Sequence, residues 1–143
     1  MKDFEVVVIG SGFSGLTCGH FLKEEGIENF CILEKNKSLG GVWSHGGVGS
    51  YPGAACDVQS YTYLPFLDET GFIPSKRYVS QTEIADYAEL LADHFDLSKH
   101  IKFLQKVIEY DRYQPKFYED TKTYVSKRTS KKKLKKGLNF YNK

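Results

Sequence analysis

The hexapeptide Gly10-Ser11-Gly12-Phe13-Ser14-Gly15 constrains this chain more than any other feature. It follows FEVVVI (Phe4 to Ile9), a β-branched apolar run of the kind that forms a buried parallel strand. It precedes a segment, Phe13 to Glu25, that reads as a helix stopped by Gly26. Gly15, Cys18, Gly19 and Leu22 fall at helical spacing, so the helix should offer a face of mostly small side chains to a sheet. FCILE (Phe30 to Glu34) reads as a second buried strand ending in an acid. Together these segments predict a β-α-β unit of about thirty residues. Each glycine of the G-x-G-x-x-G has a physical task there. The first makes the tight turn, the second admits a pyrophosphate to the backbone, and the third lets helix and strand pack closely. The helix start adds free N–H groups and a partial positive charge. Glu34 stands 19 residues beyond Gly15, where a carboxylate can accept the hydroxyls of an adenosine ribose. An acid at that point disfavours a 2′-phosphate, so the site suits NAD or FAD rather than NADP, and the fingerprint alone leaves those two open.

A glycine-rich, irregular region runs from Lys35 to about Lys76. Its aromatic content argues for a functional loop rather than a linker. Ser80 and Glu83 then have capping-box spacing, and Ile84, Tyr87, Ala88, Leu91, Ala92 and Phe95 keep one face of an amphipathic helix. Ile101, Phe103 and Val107 suggest a strand on alternate positions, with Gln105 the exception. The charge changes character near Tyr113–Pro115. Residues 1–115 carry ten basic and sixteen acidic residues, a net of −6; residues 116–143 carry ten and two, a net of +8. This predicts a globular domain over 1–112 and a basic, disordered tail over 113–143. The lysine-rich run Ser126 to Gly137 is compatible with a nucleic-acid patch or nuclear address, but a solvated end is the preferred reading. Three cysteines make no disulfide framework and favour a reducing, cytoplasmic setting. No apolar run approaches the roughly 20 residues of a membrane span. The four histidines lack metal-ligand spacing, so no metal is expected.

The residues after Glu34 separate the two cofactors. ILEKNKSLGGVW places Gly40 and Gly41 six and seven residues after the acid, with Trp43 beyond. Further on, YPGAACDVQSYTY presents Tyr51, Pro52, Gly53, Cys56, Asp57, Ser60 and Tyr63 in the order YPG-x-x-CD-x-x-S-x-x-Y. In these motifs the chain resembles the flavin-dependent monooxygenases of the flavin-containing and Baeyer–Villiger type, over about residues 4–110. The resemblance implies a Rossmann-like, incomplete FAD-binding α/β unit with a parallel sheet. It implies FAD contacts at Gly10, Ser11, Gly12, Phe13, Ser14, Gly15, Glu34, Lys35, Gly41, Val42, Trp43, Asp57, Tyr63 and Val107, the last through its backbone near the adenine. Asp57 matches a family acid at the reacting centre that contacts the flavin and holds an arginine. An Asx turn at Asp57 and a core role for Trp43 stand as alternatives. In intact relatives NADPH reduces the flavin and O₂ supplies one oxygen atom to a carbonyl, amine or sulfide. Ala55 stands where many relatives carry arginine, and WSHGGVGSY (Trp43 to Tyr51) is longer than in Baeyer–Villiger relatives. After Gly71 only Gly137 remains, so a second nucleotide fingerprint for NADPH is missing. The expectation is an FAD-binding portion inactive by itself. The rival reading is a non-catalytic dinucleotide-binding module or a basic-tailed nucleic-acid binder.

Overall fold

The computed structural model describes residues 4–45 and 54–107, together with the backbone of Phe140–Tyr141. Strand β1 (Val6–Ile9) leads through the glycine turn into helix α1 (Phe13–Glu24), which returns to strand β2 (Phe30–Leu33). β1 and β2 run parallel with Val6 opposite Phe30 and Ile9 opposite Leu33. Strand β3 (Ile101–Lys102) adds to the far side of β2, also parallel, giving the order β1-β2-β3. The expected β-α-β unit is therefore present. Gly26, at φ +75°, reverses the chain after α1 as a left-handed helix stop.

β2 is buried on both faces, as its unbroken apolar run requires. β1 departs from the same expectation. Val6, Val7 and Val8 are half-buried and Ile9 is 55% exposed. The reason is position: β1 is an edge strand of the sheet among the described residues, whereas β2 is central. The small-residue face of α1 also needs correction. Gly15, Leu16 and Gly19 are buried, whereas Cys18 is exposed. A Cβ on Gly19 would approach Ile32 Cδ1 to 3.0 Å and Leu97 Cδ2 to 3.2 Å, so glycine sets how close the helix lies to the sheet.

Lys35 to Lys76 is less irregular than its composition predicts. Its described residues hold a 3-10 turn (Gly41–Trp43) and two four-residue helices, α2 (Ser60–Tyr63) and α3 (Leu67–Thr70). Helix α4 (Gln81–His94) comes next and buries Ile84, Ala85, Tyr87, Ala88, Leu91 and Ala92. All of these but Ala85 join Leu16, Phe30, Ile32 and Leu97 in the main core, and Phe95 packs at its margin. Ser80 caps α4 by accepting from the Glu83 amide at 3.3 Å. The reciprocal half of a capping box is replaced: the Glu83 carboxylate accepts from the amide and hydroxyl of Ser75 instead. At the other end, Lys23 of α1 donates to the Phe95 carbonyl at 2.7 Å and satisfies an open C-terminal carbonyl of α4.

The single strand expected over Ile101–Val107 is broken. Leu104 adopts φ +59°, the chain turns, and a separate strand β4 (Lys106–Val107) begins. β4 pairs antiparallel with β5 (Phe140–Tyr141), Val107 opposite Phe140 and Lys106 opposite Tyr141. Those two residues depart from the expected disordered tail. Residues 108–139, including the boundary expected near 112, lie outside the described residues.

Candidate functional site

The carboxyl ends of β1 and β2 and the start of α1 enclose a cavity of about 430 Å³. Such crevices, outside the carboxyl ends of parallel strands, are where open α/β sheets bind ligands. Gly10, at φ +93°, carries the chain from β1 across the cavity mouth and donates its amide to Leu33 O at 2.8 Å. Gly12 is the N-cap of α1 and provides no capping side chain, so the first helical N–H groups have no side-chain acceptor there. Gly15 lies under the turn: a Cβ there would sit 1.9 Å from Gly10 O. The three glycines thus occupy the three positions that the fingerprint demands.

Glu34 is 3% exposed, and its carboxylate is held by three donors. Oε2 accepts from the Ser11 amide at 2.9 Å and the Ser11 hydroxyl at 2.8 Å; Oε1 accepts from the Asn36 amide at 2.9 Å. A buried carboxylate is tolerated only with such compensation. The acid and the glycine turn, 23 residues apart in sequence, therefore form one hydrogen-bonded unit.

The Gly40-Gly41 pair docks onto this unit. The Gly40 amide donates to Ser11 O at 2.9 Å, and a Cβ on Gly41 would meet Gly12 Cα at 3.2 Å. Gly40 and Gly41 both have positive φ, +101° and +62°, which glycine adopts most readily. Gly41 and the 57%-exposed Val42 line the cavity. Across from them, the Leu104 turn brings Gln105, Lys106 and Val107 to the wall. It is pinned by Leu104 N to Asn36 O at 3.1 Å and Gln105 N to Glu34 O at 2.8 Å.

Of the expected contact residues, Gly10, Gly12, Glu34, Lys35, Gly41, Val42 and Val107 line the cavity. Ser11 is fully buried against Glu34, and Ser14 is exposed on α1. Trp43 is not at the wall. It is 8% exposed and donates from Nε1 to the Tyr63 hydroxyl at 2.6 Å. Tyr63 packs edge-on against Phe13, so these three rings form an aromatic support behind the fingerprint turn. Asp57 is exposed and does not line the cavity, and Tyr51 to Gly53 lie outside the described residues. Ser60 is a tie rather than a wall residue: its hydroxyl donates to Arg77 O and accepts from Val79 N, both at 3.0 Å. Sequence reasoning missed Ile9, Leu33, Asn36, Gln105 and Lys106. Gln105 had left a trace, as the polar residue that spoiled the strand pattern. Among the described residues no group of three or more His, Cys, Asp or Glu could hold a metal, and no helix is long and apolar enough to cross a membrane.

Comparison with known proteins agrees with this geometry. Residues 8–70 match the NAD(P)-binding Rossmann-like domain. The chain is 40% identical over 96 residues to Baeyer-Villiger monooxygenase 4 of Dietzia sp. (strain D5), an alignment covering 67% of this chain and 15% of that protein. The fold is similar to that of the polycyclic ketone monooxygenase from the thermophilic fungus Thermothelomyces thermophila. There the TM-score is 0.67 at 29% identity, over 79% of this chain and 19% of that one. It is likewise similar to OTEMO solved in complex with FAD and NADP, with TM-score 0.64 and 29% identity over 74% of this chain and 20% of that one. The chain thus spans less than a quarter of the length of these relatives.

Proposed function

We propose that, over the residues it shares with them, the chain belongs to the flavin-dependent Baeyer–Villiger-type monooxygenases, and that its cavity holds FAD. The observation that carries this reading is the buried Glu34 carboxylate joined to the fingerprint turn at the mouth of the cavity. The residues present fit the cofactor. Gly12 leaves the backbone open to a pyrophosphate, and the start of α1 supplies uncapped N–H groups. Glu34 takes the ribose, and Val42 and Val107 give apolar walls. When bound, FAD supplies the redox chemistry with NADPH and O₂ that delivers an oxygen atom to a small carbonyl, amine or sulfide. The chain's own part is to bind and orient the adenosine half. Asp57 is assigned to the flavin end, where it would act on a neighbouring basic group. Its exposure among the described residues leaves its carboxylate accessible for that contact. An odd number of cysteines, three, suits a reducing, cytoplasmic setting.

The test is direct. The purified chain titrated with FAD should quench flavin fluorescence saturably, and the bound form should be yellow. Failure to bind FAD, with tight binding of NAD instead, would favour a non-catalytic dinucleotide-binding module. Supplied with FAD, NADPH and a ketone, the chain alone should not oxidise NADPH, because only one nucleotide fingerprint stands in its sequence.

A further inference from the structure

We propose that Ser11 is a positioning residue for nucleotide recognition: its hydroxyl and amide orient the Glu34 carboxylate so that it accepts a single ribose hydroxyl. The inference rests on the reading that this cavity takes the adenosine half of a dinucleotide. An ionised carboxylate has about four acceptor sites. Three are taken in this structure, two on Oε2 by Ser11 and one on Oε1 by the Asn36 amide. The remaining site is on Oε1. A ribose can therefore place one hydroxyl on Glu34 without disturbing the site, and a second only by displacing a buried donor.

Ser11 is well placed to impose this arrangement. It is fully buried, and its carbonyl accepts from Gly40 N at 2.9 Å, so amide, hydroxyl and carbonyl are all engaged. The residue cannot turn without parting the fingerprint from the Gly40-Gly41 turn. Its two donors both hold Oε2, while the Asn36 amide holds Oε1, and together they resist rotation of the carboxylate about its last bond. A glycine or alanine at this fingerprint position would supply only the amide.

Calorimetric titration of the full chain with ADP, 2′-deoxy-ADP and 3′-deoxy-ADP tests this. For the unmodified protein, one deoxynucleotide should bind about tenfold or more weakly than ADP and the other within about twofold, since only one hydroxyl meets the charged acceptor. Ser11→Ala and Ser11→Gly both remove the hydroxyl and keep the amide, so either one that folds suffices. In them ADP should weaken by about tenfold and the spread among the three ligands should shrink to about twofold. A purely structural role would leave that spread unchanged, and variants that keep it would overturn the assignment of Ser11. Equal weakening of both deoxynucleotides by the unmodified protein would overturn the single-hydroxyl geometry. Failure of the unmodified protein to bind any of the three would overturn the adenosine reading itself, and this inference with it.

Discussion

Replacing Gly15 with alanine should unfold more of this protein than replacing Gly12, although both are fingerprint glycines. A Cβ at Gly15 would lie 1.9 Å from Gly10 O and 3.0 Å from Gly10 C, against an ordinary contact of 3.4–4 Å. The obstacle is backbone at a turn already held by Gly10 N to Leu33 O, so no rotamer change can relieve it. α1 must instead move away from the turn by more than an ångström, opening the close contact of Gly19 with Ile32 and Leu97. Overpacking usually costs about 1–3 kcal/mol, and a shift of a whole helix belongs at or above the top of that range. Each kcal/mol moves the thermal midpoint of a domain this size by about 4–8 °C, so a fall of about 12 °C or more is expected. Gly12 is different. Its Cβ would meet Gly41 Cα at 3.7 Å, an ordinary contact, and its φ of −74° suits alanine. Gly12→Ala should cost about 1 kcal/mol or less in stability, the loss of a neutral N-cap. Its nucleotide affinity should nevertheless fall steeply, because the methyl group stands where a phosphate would approach. Thermal unfolding by circular dichroism, paired with FAD titration, separates the two effects. A Gly15→Ala protein with the unmodified midpoint would refute the packing argument, and a Gly12→Ala protein with unmodified FAD affinity would refute the phosphate argument.

Three further outcomes are expected. Glu34→Ala should weaken FAD binding about ten- to a hundredfold, the worth of a charge-assisted hydrogen bond, and should lower the thermal midpoint because the Ser11 donors lose their acceptor. Unchanged fluorescence titrations would dismiss Glu34 as the ribose acid. Tyr87→Phe should cost about 1–3 kcal/mol in denaturant unfolding, since the Tyr87 hydroxyl donates to Pro65 O inside the core beside Thr70. Burial also holds that hydroxyl above its ordinary pKa, so its ultraviolet titration should lag that of free tyrosine, and an ordinary titration would contradict the packing. The Asp96 carboxyl is held below its usual 3.8 by hydrogen bonds from Lys99 and Lys23. A depressed pKa means that the pairing stabilises the fold above 3.8 and is lost as pH falls through the lower, folded value. Asp96→Asn keeps a residue tolerant of the local φ of +52° and should abolish that acid-side loss; identical pH profiles below 3.8 for both proteins would argue against it.

How much of this could be read in advance depended on distance along the chain. The β-α-β unit, its three glycines, Glu34 at the end of β2 and the Ser80 cap were all legible, because each is a short-range pattern with one physical meaning. Cys18 and Leu16 were exchanged because helical spacing gives two adjacent faces, and only the sheet's position chooses between them. The Leu104 turn was hidden, since nothing marks a leucine for positive φ; the backbone bonds that the Leu104 and Gln105 amides donate to Asn36 O and Glu34 O hold it there. The Ser11–Glu34 bond and the Gly41–Gly12 contact join motifs that each looked complete alone. Trp43 shows the reverse problem. Its place in a family pattern left flavin contact and a core role both open, and its burial and hydrogen bond to Tyr63 accord with the core role.

The half-covered edge strand has a consequence for the protein as a material. Val6-Val7-Val8-Ile9 carries no charge, no proline and no bulge, the devices by which exposed strands normally discourage pairing with a neighbouring molecule. Four β-branched residues with low charge are also the composition of segments that stack into cross-β assemblies. Because β1 is one edge of the sheet among the described residues, its outward backbone groups are a template for another strand. Self-association of this chain at high concentration would start there. A lysine in place of the exposed Ile9 is the change most suited to suppress it, though at the cavity wall where that residue also stands the cure would be felt by the nucleotide.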